Sequence, residues 1–417
     1  MKFWHALKHH ILNRAMPHGL VSPCYLLPGQ SRHIRIHRSL WLCGFPRVPL
    51  PIFLLVEGFL YLRWILFSAW VGTFRAVRRL GPAIRDREGI AIRTQFNRIL
   101  KLALLHAVPP FEAYAFRLYR GDWNASVWNY VFTHEVPAFH RWRDARQGKT
   151  GVSIRVLGDK QQTAEILSRH GLPVAPVVLE MINTGGIFDP SRLTEYTRLF
   201  VKPCYGSAGR DCFVLERDKD DSDFNVFEAH AGMVASRSTW QCLLDNLARE
   251  PYLVQPLMAN HPVLAGLCET KDAVTVRIIT EAPIGAPVRC YAAMLEIPGP
   301  LHDPATGKEL AGKKRFHVIL PINPTSGNTL PWNADIFPLS AEEAYKKLYA
   351  RAENMPVPCW DQIRKTAAAA HALFPDVYAI AWDYVITHDG PFLLEGNTGW
   401  GTRMPQMIHG GLLIGEA

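Results

Sequence analysis

The sequence predicts a folded protein of mixed α and β structure behind a mainly helical, basic N-terminal region. Its 417 residues, 48% hydrophobic and 20% charged, can bury a large core over two or three packed units. Apolar residues recur at three-to-four spacing between 91 and 147, which is typical of helices. Beyond Thr150-Gly151, short β-rich runs alternate with helical ones, so we expect a domain boundary there.

Positive charge is concentrated at the start of the chain. Residues 1–150 carry 22 Lys and Arg against 7 Asp and Glu, whereas the remainder carries 24 against 30. This favours an anionic partner for the N-terminal third, such as a membrane surface, a phosphate-bearing substrate or nucleic acid. Nucleic acid is the least expected of these, because the aromatic residues lie mainly in one apolar run and do not alternate with basic residues.

The apolar run, residues 51–72, has three interpretations. It is long enough to span a bilayer, but Glu57 and Arg63 are costly at bilayer depth, and arginines on both sides give no orientation. An interfacial helix with Trp64 and Trp70 at headgroup depth fits equally well. A buried helix of the N-terminal domain is the third interpretation.

Cysteine usage and the N-terminus predict a cytoplasmic location. The eight cysteines are scattered without a C-x-x-C pair, which favours free thiols in a reducing compartment over disulfides or a zinc site. The first residues lack a signal-peptide core followed by a small-residue cleavage site. We expect a cytoplasmic protein whose residues 1–90 can contact an anionic membrane at its inner face.

Several elements can be assigned from pattern alone. The helix that begins at 92 should end before Pro109-Pro110. Residues 199–203, 252–256 and 273–280 read as strands, 161–170 and 341–352 as helices. We expect loops at 187–197 and 301–314.

The end of the chain predicts a β-hairpin that carries a metal site. Two apolar runs within residues 379–397 are joined by His388-Asp389-Gly390, which is typical of a hairpin turn. Strand alternation puts Glu395 and Asn397 on one face, and the pairing can bring Asp383 beside them. Three hard oxygen donors suit Mg²⁺ held by carboxylates and substrate phosphates.

Lys202 ends a predicted strand and precedes a small-residue loop that includes Gly206, Ser207, Ala208 and Gly209. An ammonium group beside backbone N–H groups is suited to phosphate, although a glycine-rich turn alone is also typical of ordinary hairpins. The spacing is not that of a P-loop.

The strand ending at residue 258 is a candidate border for an adenine ring. Pro256 keeps a carbonyl for the adenine amine, and Met258 keeps an N–H for a ring nitrogen. A buried connecting strand would have the same pattern.

The order and spacing of these motifs over about residues 150–410 resemble the ATP-grasp superfamily. Back to about residue 90, the chain is similar to its sugar-transfer-associated family. The matching residues are His106, Pro109, Pro110, Tyr114, Phe116–Tyr119, Asp159, Lys160, Val254, Gln255, His261, Pro262, Thr275, Arg277, Trp382, Asp383, Glu395, Gly396, Asn397 and Gln406.

The resemblance implies an α+β ATP-grasp fold, two α+β subdomains that clamp ATP, preceded by a mainly helical region. The expected parts are a basic and apolar segment at 1–90, a helical region at 91–150, a small subdomain at 151–258 and a large one at 259–417. Lys160 and Lys202 would contact the ATP phosphates under the 206–209 loop. Gln255, Pro256 and Met258 would line the adenine pocket, with His261 near the ribose.

Asp383, Glu395 and Asn397 would hold one or two Mg²⁺ ions, and Arg277 would face the transferred phosphoryl group as a catalytic residue with Lys202. The hinge position that is commonly acidic in the superfamily is Gln255 here, and the usual ribose-binding acid is not evident. Neither departure removes a metal ligand.

The expected activity is an ATP- and Mg-dependent carboxylate–amine ligase that forms an acylphosphate, with a small-molecule or glycan-linked acceptor. Two alternatives stay open: a phosphotransferase that stops after γ-phosphate transfer, and a non-catalytic nucleotide-responsive protein docked at the membrane. The acceptor pocket decides between the two enzymes, and no residue pattern defines it.

Overall fold

The protein, as a computed structural model, divides into two compact units. The helical unit comprises Met1–Arg146, Trp332–Ala341 and Gly399–Ala417, and the two-sheet unit comprises Gln147–Pro331 and Glu342–Thr398. The structure describes residues 22–43, 49–121, 127–181, 193, 195–206, 211–217, 224–229, 236–237, 240–267, 273–298, 301–302, 309–311, 317–331 and 348–414.

The helical unit is built from α-helices with short 3-10 turns between them. Its helices are Arg32–Cys43, Leu50–Arg63, Ala69–Glu88, Ile92–His106, Pro110–Ala115, Val136–Arg146 and Arg403–His409. A π-helical turn, Trp64–Ser68, joins the second to the third without a break, so that residues 50–88 form one helix. We call it the long helix. The predicted helix start at 92 is confirmed, and the helix ends at His106 because Ala107 adopts a left-handed conformation (φ 57°).

Buried side-chain hydrogen bonds link separate segments of this unit. The Tyr114 hydroxyl donates to Gln95 Oε1 at 2.7 Å. At the C-terminal helix, Gln406 Nε2 donates to the Val131 carbonyl at 2.8 Å, and Gln406 Oε1 accepts from the Val131 and Leu412 N–H groups. Tyr114 and Gln406, two residues of the family resemblance, therefore stabilise the packing of the helical unit.

Two antiparallel sheets dominate the second unit. The first has the order β1-β6-β2-β3-β4-β5, the second β11-β8-β7-β12-β13, and β9 and β10 form a separate pair. The strands are β1 (Leu179–Met181), β2 (Arg198–Pro203), β3 (Cys212–Glu216), β4 (Asn225–Ala229), β5 (Ser236–Arg237), β6 (Tyr252–Pro256), β7 (Thr275–Glu281), β8 (Arg289–Pro298), β9 (Leu301–His302), β10 (Glu309–Ala311), β11 (His317–Ile322), β12 (Ala379–Thr387) and β13 (Gly390–Asn397).

Helices flank these sheets within the same unit. They are Ile154–Leu157, Lys160–Arg169, Trp240–Leu247, Pro262–Ala265 and Trp360–Ala372. The first sheet packs its own core, with Leu199, Val201, Phe213, Tyr252 and Val254 all buried. Separate antiparallel sheets with flanking helices define an α+β fold, as expected.

The three predicted strands are confirmed as β2, β6 and β7, and the predicted helix 161–170 as Lys160–Arg169. The expectation of a loop is wrong for residues 301–302 and 309–311, which pair as the antiparallel strands β9 and β10, and the rest of 301–314 lies outside the described residues. Most of the predicted helix 341–352 and of the loop 187–197 lies outside the described residues. Along the chain, β6 is the last strand of the first sheet and β7 is the first strand of the second, so that residue 258, the expected end of the small subdomain, lies between the two sheets in sequence. Residues 399–417, which are expected in the large subdomain, group with the helical unit.

Candidate active site

Three neighbouring strands line up charged residues in one row. Asp383 on β12 pairs in register with Arg277 on β7 and with Glu395 on β13. The β12–β13 pairing shifts register just after Asp383, so that Leu394 is the extra residue between partners Leu393 and Glu395. Such bulges often lie beside active sites, where they redirect side chains. The predicted hairpin is confirmed, and it brings Asp383, Glu395 and Asn397 together.

Arg277 makes a bidentate contact with Asp383. Its Nε donates to Asp383 Oδ1 at 2.7 Å, its Nη2 donates to Oδ2 at 2.8 Å, and its Nη1 lies 2.9 Å from Glu296 Oε1. Burial alone would lower the pKa of Arg277, but the carboxylates of Asp383, Glu296 and Glu395 raise it well above its ordinary value. The guanidinium is therefore a fixed positive charge within a group of three carboxylates.

The two carboxylates of the hairpin have opposite pKa shifts. Burial raises the pKa of Asp383, and although Arg277 opposes this, Glu395 and Glu296 add to it, so that the pKa is about 6. Burial also acts to raise the pKa of Glu395, but Lys160, Lys202 and the Asn397 hydrogen bond outweigh it, and the pKa is lowered. At neutral pH both groups are ionised.

Asn397 connects the two carboxylates. Its Nδ2 donates to Asp383 Oδ2 and to Glu395 Oε1, each at 3.1 Å. The three oxygen-bearing side chains predicted from the sequence are thus linked through Asn397 on one sheet face.

Two lysines approach Glu395 from the first half of the unit. Lys160 is the first residue of its helix, which Asp159 caps by accepting from the N–H groups of Gln161 and Gln162. The Lys160 ammonium donates to the Gly206 carbonyl at 2.7 Å and lies 3.6 Å from Glu395 Oε2. A cation beside the positive end of a helix is unfavourable by itself, and the Asp159 and Glu395 carboxylates offset that cost.

Lys202 on β2 is a buried cation, 7% exposed. Burial lowers its pKa, with a further contribution from Lys160, while Glu395 opposes the shift. A desolvated lysine with one nearby carboxylate and one nearby ammonium is well suited to bind an additional anion.

The donor set fits a hard divalent cation. Among the residues that the structure describes, no group of three or more His, Cys, Asp and Glu side chains is arranged to hold a metal. A cation here would use the carboxylates of Asp383 and Glu395 and the amide oxygen of Asn397, and phosphate oxygens would complete its coordination. Mg²⁺ commonly binds in this way, through one or two carboxylates plus substrate phosphates.

The adenine candidates make hydrogen bonds and strand pairs of their own. The Gln255 side chain is buried and donates to the Ala175 carbonyl at 3.1 Å, and Pro256 pairs with Leu199. Met258 follows β6 and is half-buried. His261 caps the helix Pro262–Ala265, since its Nδ1 accepts from the Val263 N–H at 3.2 Å. Ser207, Ala208 and Gly209 lie outside the described residues, whereas Gly206 is described with a positive φ of 104°.

Sequence reasoning missed Glu296 and Tyr205. Glu296 is a single carboxylate in the apolar strand β8, and because a carboxylate taken out of water needs a partner, this was a signal that could have found it. Tyr205 is 48% exposed, and its hydroxyl donates to Asp159 Oδ2 at 2.9 Å. No sequence pattern marks that contact.

In the two-sheet unit, two lysines come from the part that contains the first sheet, and the row of carboxylate and amide side chains lies on the second sheet. This arrangement is that of an ATP-grasp protein. The family model for sugar-transfer-associated ATP-grasp proteins matches residues 146–417, about two thirds of the sequence. The chain belongs to this family, and so to the ATP-grasp ligase superfamily.

Solved structures of ATP-grasp enzymes are distantly similar. The D-alanine–D-alanine ligase of Bacillus anthracis is 10% identical over 61% of this chain and 61% of its own, with a TM-score of 0.34. The VanG D-Ala:D-Ser ligase of Enterococcus faecalis is 11% identical over 64% of this chain and 62% of its own (TM-score 0.35). Biotin carboxylase of Campylobacter jejuni is 10% identical over 67% and 50% (TM-score 0.35).

This chain thus spans less than two thirds of each of these enzymes. No curated protein matches the sequence. At these identities and TM-scores, the likenesses carry no inference about the reaction.

Proposed function

We propose that the protein is an ATP- and Mg-dependent ligase that activates a carboxylate as an acylphosphate for attack by an amine or a similar nucleophile. One observation carries the proposal: the Lys160 ammonium lies 3.6 Å from Glu395 and the buried Lys202 interacts electrostatically with the same carboxylate, which shares a row with Asp383 and Arg277. Cations for phosphate, oxygen ligands for a metal and a fixed arginine are the parts that phosphoryl transfer requires.

In the first step, a carboxylate oxygen of the substrate forms a bond to the γ-phosphorus while the bond to the β–γ bridging oxygen breaks, which releases ADP. In the second, the nucleophile's nitrogen bonds to the acyl carbon, phosphate leaves with the C–O electron pair, and the amine loses a proton. Lys160 and Lys202 would bind phosphate oxygens, and Arg277 would offset the charge that develops on the transferred group. Mg²⁺ held by Asp383, Glu395 and Asn397 would supply further charge neutralisation.

The proposed acceptor class rests on the family description. The family description associates these proteins with sugar transfer, so we propose a small molecule or a glycan-linked group, with polysaccharide modification as the setting. In the proposed reaction, the co-substrate is ATP of the cytoplasm.

The acylphosphate can be tested before its natural nucleophile is known. Hydroxylamine converts acylphosphates to hydroxamates, so the full chain should form hydroxamate and ADP with ATP, Mg²⁺ and the right member of a panel of carboxylates, including uronic acids. A phosphotransferase acting on a hydroxyl would form ADP and a stable phosphoester without hydroxamate. Tight nucleotide binding, with no ADP formed from ATP in the presence of any acceptor, would point to a non-catalytic protein.

Glu395→Gln tests the metal assignment within the same assay. It removes one ligand charge while it preserves size, and we expect turnover to fall by roughly 10³-fold or more with the fold intact. Glu353→Gln, a change at an exposed acid of the same unit, is the matched control and should keep full activity. Retained activity in Glu395→Gln would refute the assignment.

A further inference from the structure

The outer face of the long helix is apolar over most of its first half. Its exposed residues recur every three to four positions and therefore form one stripe along the helix. They are Leu54, Leu55, Phe59, Leu62, Leu66, Phe67, Trp70 and Phe74, each between 47% and 74% exposed. Twenty-one residues of helix place about 30 Å between the ends of the stripe. Apart from Arg63, which is exposed in the same stretch, this surface is apolar over its whole length, which is unusual on a soluble protein and marks an interaction site.

The opposite face of the long helix packs against its own unit. The Trp64 indole N–H donates to the Ala103 carbonyl at 2.9 Å, and Gln95 Nε2 donates to the Gly81 carbonyl at 3.1 Å. These contacts show that the helix Ile92–His106 runs antiparallel along residues 64–81. The long helix is therefore one face of a packed unit.

The packed partner argues against a transmembrane span. Leu54–Glu88 is the single helix in the described part of the chain that is long and apolar enough to cross a membrane. Its companion helix, however, carries Arg93, Arg98 and Lys101 alongside the same stretch. A span would take these charges to bilayer depth, which is costly, whereas an interfacial position leaves them on the aqueous side.

Glu57 supports the same orientation. It is 1% exposed on the packed face, where its Oε2 accepts from the Trp41 indole N–H at 3.1 Å. The one carboxylate of the apolar half is therefore turned away from the stripe, so the outer face presents no acidic group there.

Three arginines follow the apolar stripe along the long helix. Arg75, Arg78 and Arg79 are all exposed in the turns around and after Phe74. An apolar face with adjacent arginines is complementary to one leaflet of a bilayer that contains anionic lipid, since acyl chains meet the apolar side chains and headgroups meet the guanidinium groups.

We propose that the outer face of the long helix docks the protein onto an anionic lipid bilayer, with the helix lying in the interface of a single leaflet. The stripe enters the headgroup–acyl boundary, and the arginines contact lipid phosphates. This inference is independent of the reaction proposed above, because it uses none of the residues of the ATP-grasp site.

The test is flotation of the full chain with vesicles of phosphatidylcholine, with and without 30% phosphatidylglycerol, a proportion of about one third chosen to give a clearly anionic surface. We expect binding to the anionic vesicles. The triple variant Phe59→Gln, Leu66→Gln, Phe67→Gln should bind at least about tenfold more weakly. The matched control Val152→Gln, Ile284→Gln, Ile414→Gln changes side chains of similar exposure elsewhere and should bind as the unmodified protein does.

A second triple variant tests the charge. Arg75→Gln, Arg78→Gln, Arg79→Gln should weaken binding to anionic vesicles by roughly fivefold per arginine and leave binding to neutral vesicles unchanged. Arg169→Gln, Arg249→Gln, Arg364→Gln, three exposed arginines of the two-sheet unit, form the control. Thermal unfolding of every variant distinguishes lost binding from lost fold.

Four outcomes would overturn the proposal. One is no binding of the folded, unmodified protein to either vesicle, and another is equal binding by the stripe variant and its control. The third is sedimentation showing that the unmodified protein self-associates, that the stripe variant is monomeric and that neither binds lipid, which would assign the stripe to a second copy of the chain. Resistance of bound protein to extraction by alkaline carbonate would replace interfacial docking by a true span.

Discussion

Arg277 and Asp383 form a bidentate ion pair in which both carboxylate oxygens accept from the same guanidinium, at 2.7 and 2.8 Å. Asp383 is one of the three proposed Mg²⁺ ligands, so the arginine and the metal would compete for its oxygens. Glu296 holds the third nitrogen of the guanidinium at 2.9 Å. This second anchor can retain Arg277 beside the site when Asp383 turns to a metal.

The first prediction concerns cation affinity without nucleotide. Arg277→Gln removes a positive charge from beside three carboxylates, and at contact distance such a charge is worth several kcal/mol. We expect Mn²⁺, used as a spectroscopic substitute for Mg²⁺, to bind about tenfold or more tightly to this variant at pH 8, while ligase turnover falls. Electron paramagnetic resonance of free Mn²⁺ measures the affinity directly.

Arg277→Lys is the control for charge. It keeps the positive charge but loses the bidentate geometry, so its Mn²⁺ affinity should stay near that of the unmodified protein. Equal Mn²⁺ affinity in Arg277→Gln and Arg277→Lys would show that the arginine does not restrict the metal.

A second prediction separates binding from stability at Lys202. Burial lowers the pKa of this lysine, so its charge is costly in the free protein. Lys202→Met should therefore leave the unfolding temperature unchanged or higher. It should also weaken binding of a non-hydrolysable ATP analogue roughly 10- to 100-fold, since a charge-assisted hydrogen bond contributes about 1.5–3 kcal/mol.

Calorimetric titration and thermal unfolding measure the two effects. The exposed Lys365→Met is the control and should change neither. Full nucleotide affinity in Lys202→Met would remove Lys202 from the phosphate site.

The third prediction uses the glycine between Glu395 and Asn397. A Cβ on Gly396 would lie 2.6 Å from Cζ3 of Trp382, which is fully buried and whose indole N–H donates to Thr280. Because that ring cannot move freely, Gly396→Ala should push β13 outward and cost about 1–3 kcal/mol of unfolding free energy.

Displacement of β13 should also weaken Mn²⁺ binding, because both flanking residues are proposed ligands. Gly399→Ala, where no atom lies within 4 Å of the added Cβ, is the control for the loss of a glycine. Urea unfolding and metal titration compare the two variants. Equal unfolding free energies and equal Mn²⁺ affinities would show that the Trp382 ring moves to accommodate the added Cβ.

The local parts of the site could be predicted from the sequence. The hairpin that carries Asp383, Glu395 and Asn397 follows from strand alternation and a turn, both of which depend on near neighbours in the chain. The helix start at Lys160 and the strand that carries Lys202 are local in the same way.

The cross-strand partners could not be predicted with the same ease. Glu296 meets Arg277 because β8 pairs beside β7, and that register is fixed by packing of the whole sheet rather than by any short pattern. Likewise, the apolar run at 51–72 allowed three interpretations, since the sequence does not say which face of a helix finds a partner. The contacts of Trp64 and Glu57 distinguish the faces.

Glu112 in the helical unit provides a pH-dependent prediction away from the site. It is 5% exposed, and burial raises its pKa to about 7, against hydrogen bonds from Thr133 and the charge of Arg403. The unfolded chain has an ordinary pKa of about 4.5 at this residue. The folded state therefore binds the proton more tightly, and stability that is fully present below about pH 4.5 is lost as the pH rises towards 7.

Glu112→Gln keeps the neutral form at every pH, so the variant should escape this loss. A shift of this size corresponds to about 3 kcal/mol, so Glu112→Gln should be more stable than the unmodified protein by up to that amount at pH 8, with the difference vanishing near pH 4. Urea unfolding of the full chain at both pH values measures it, and the difference between the two proteins cancels the titration of other groups. Glu353→Gln, at an exposed acid, should show no such pH-dependent difference. If Glu112→Gln is instead less stable than the unmodified protein at pH 8, the charge of Glu112 stabilises the fold through Arg403, and the prediction is wrong.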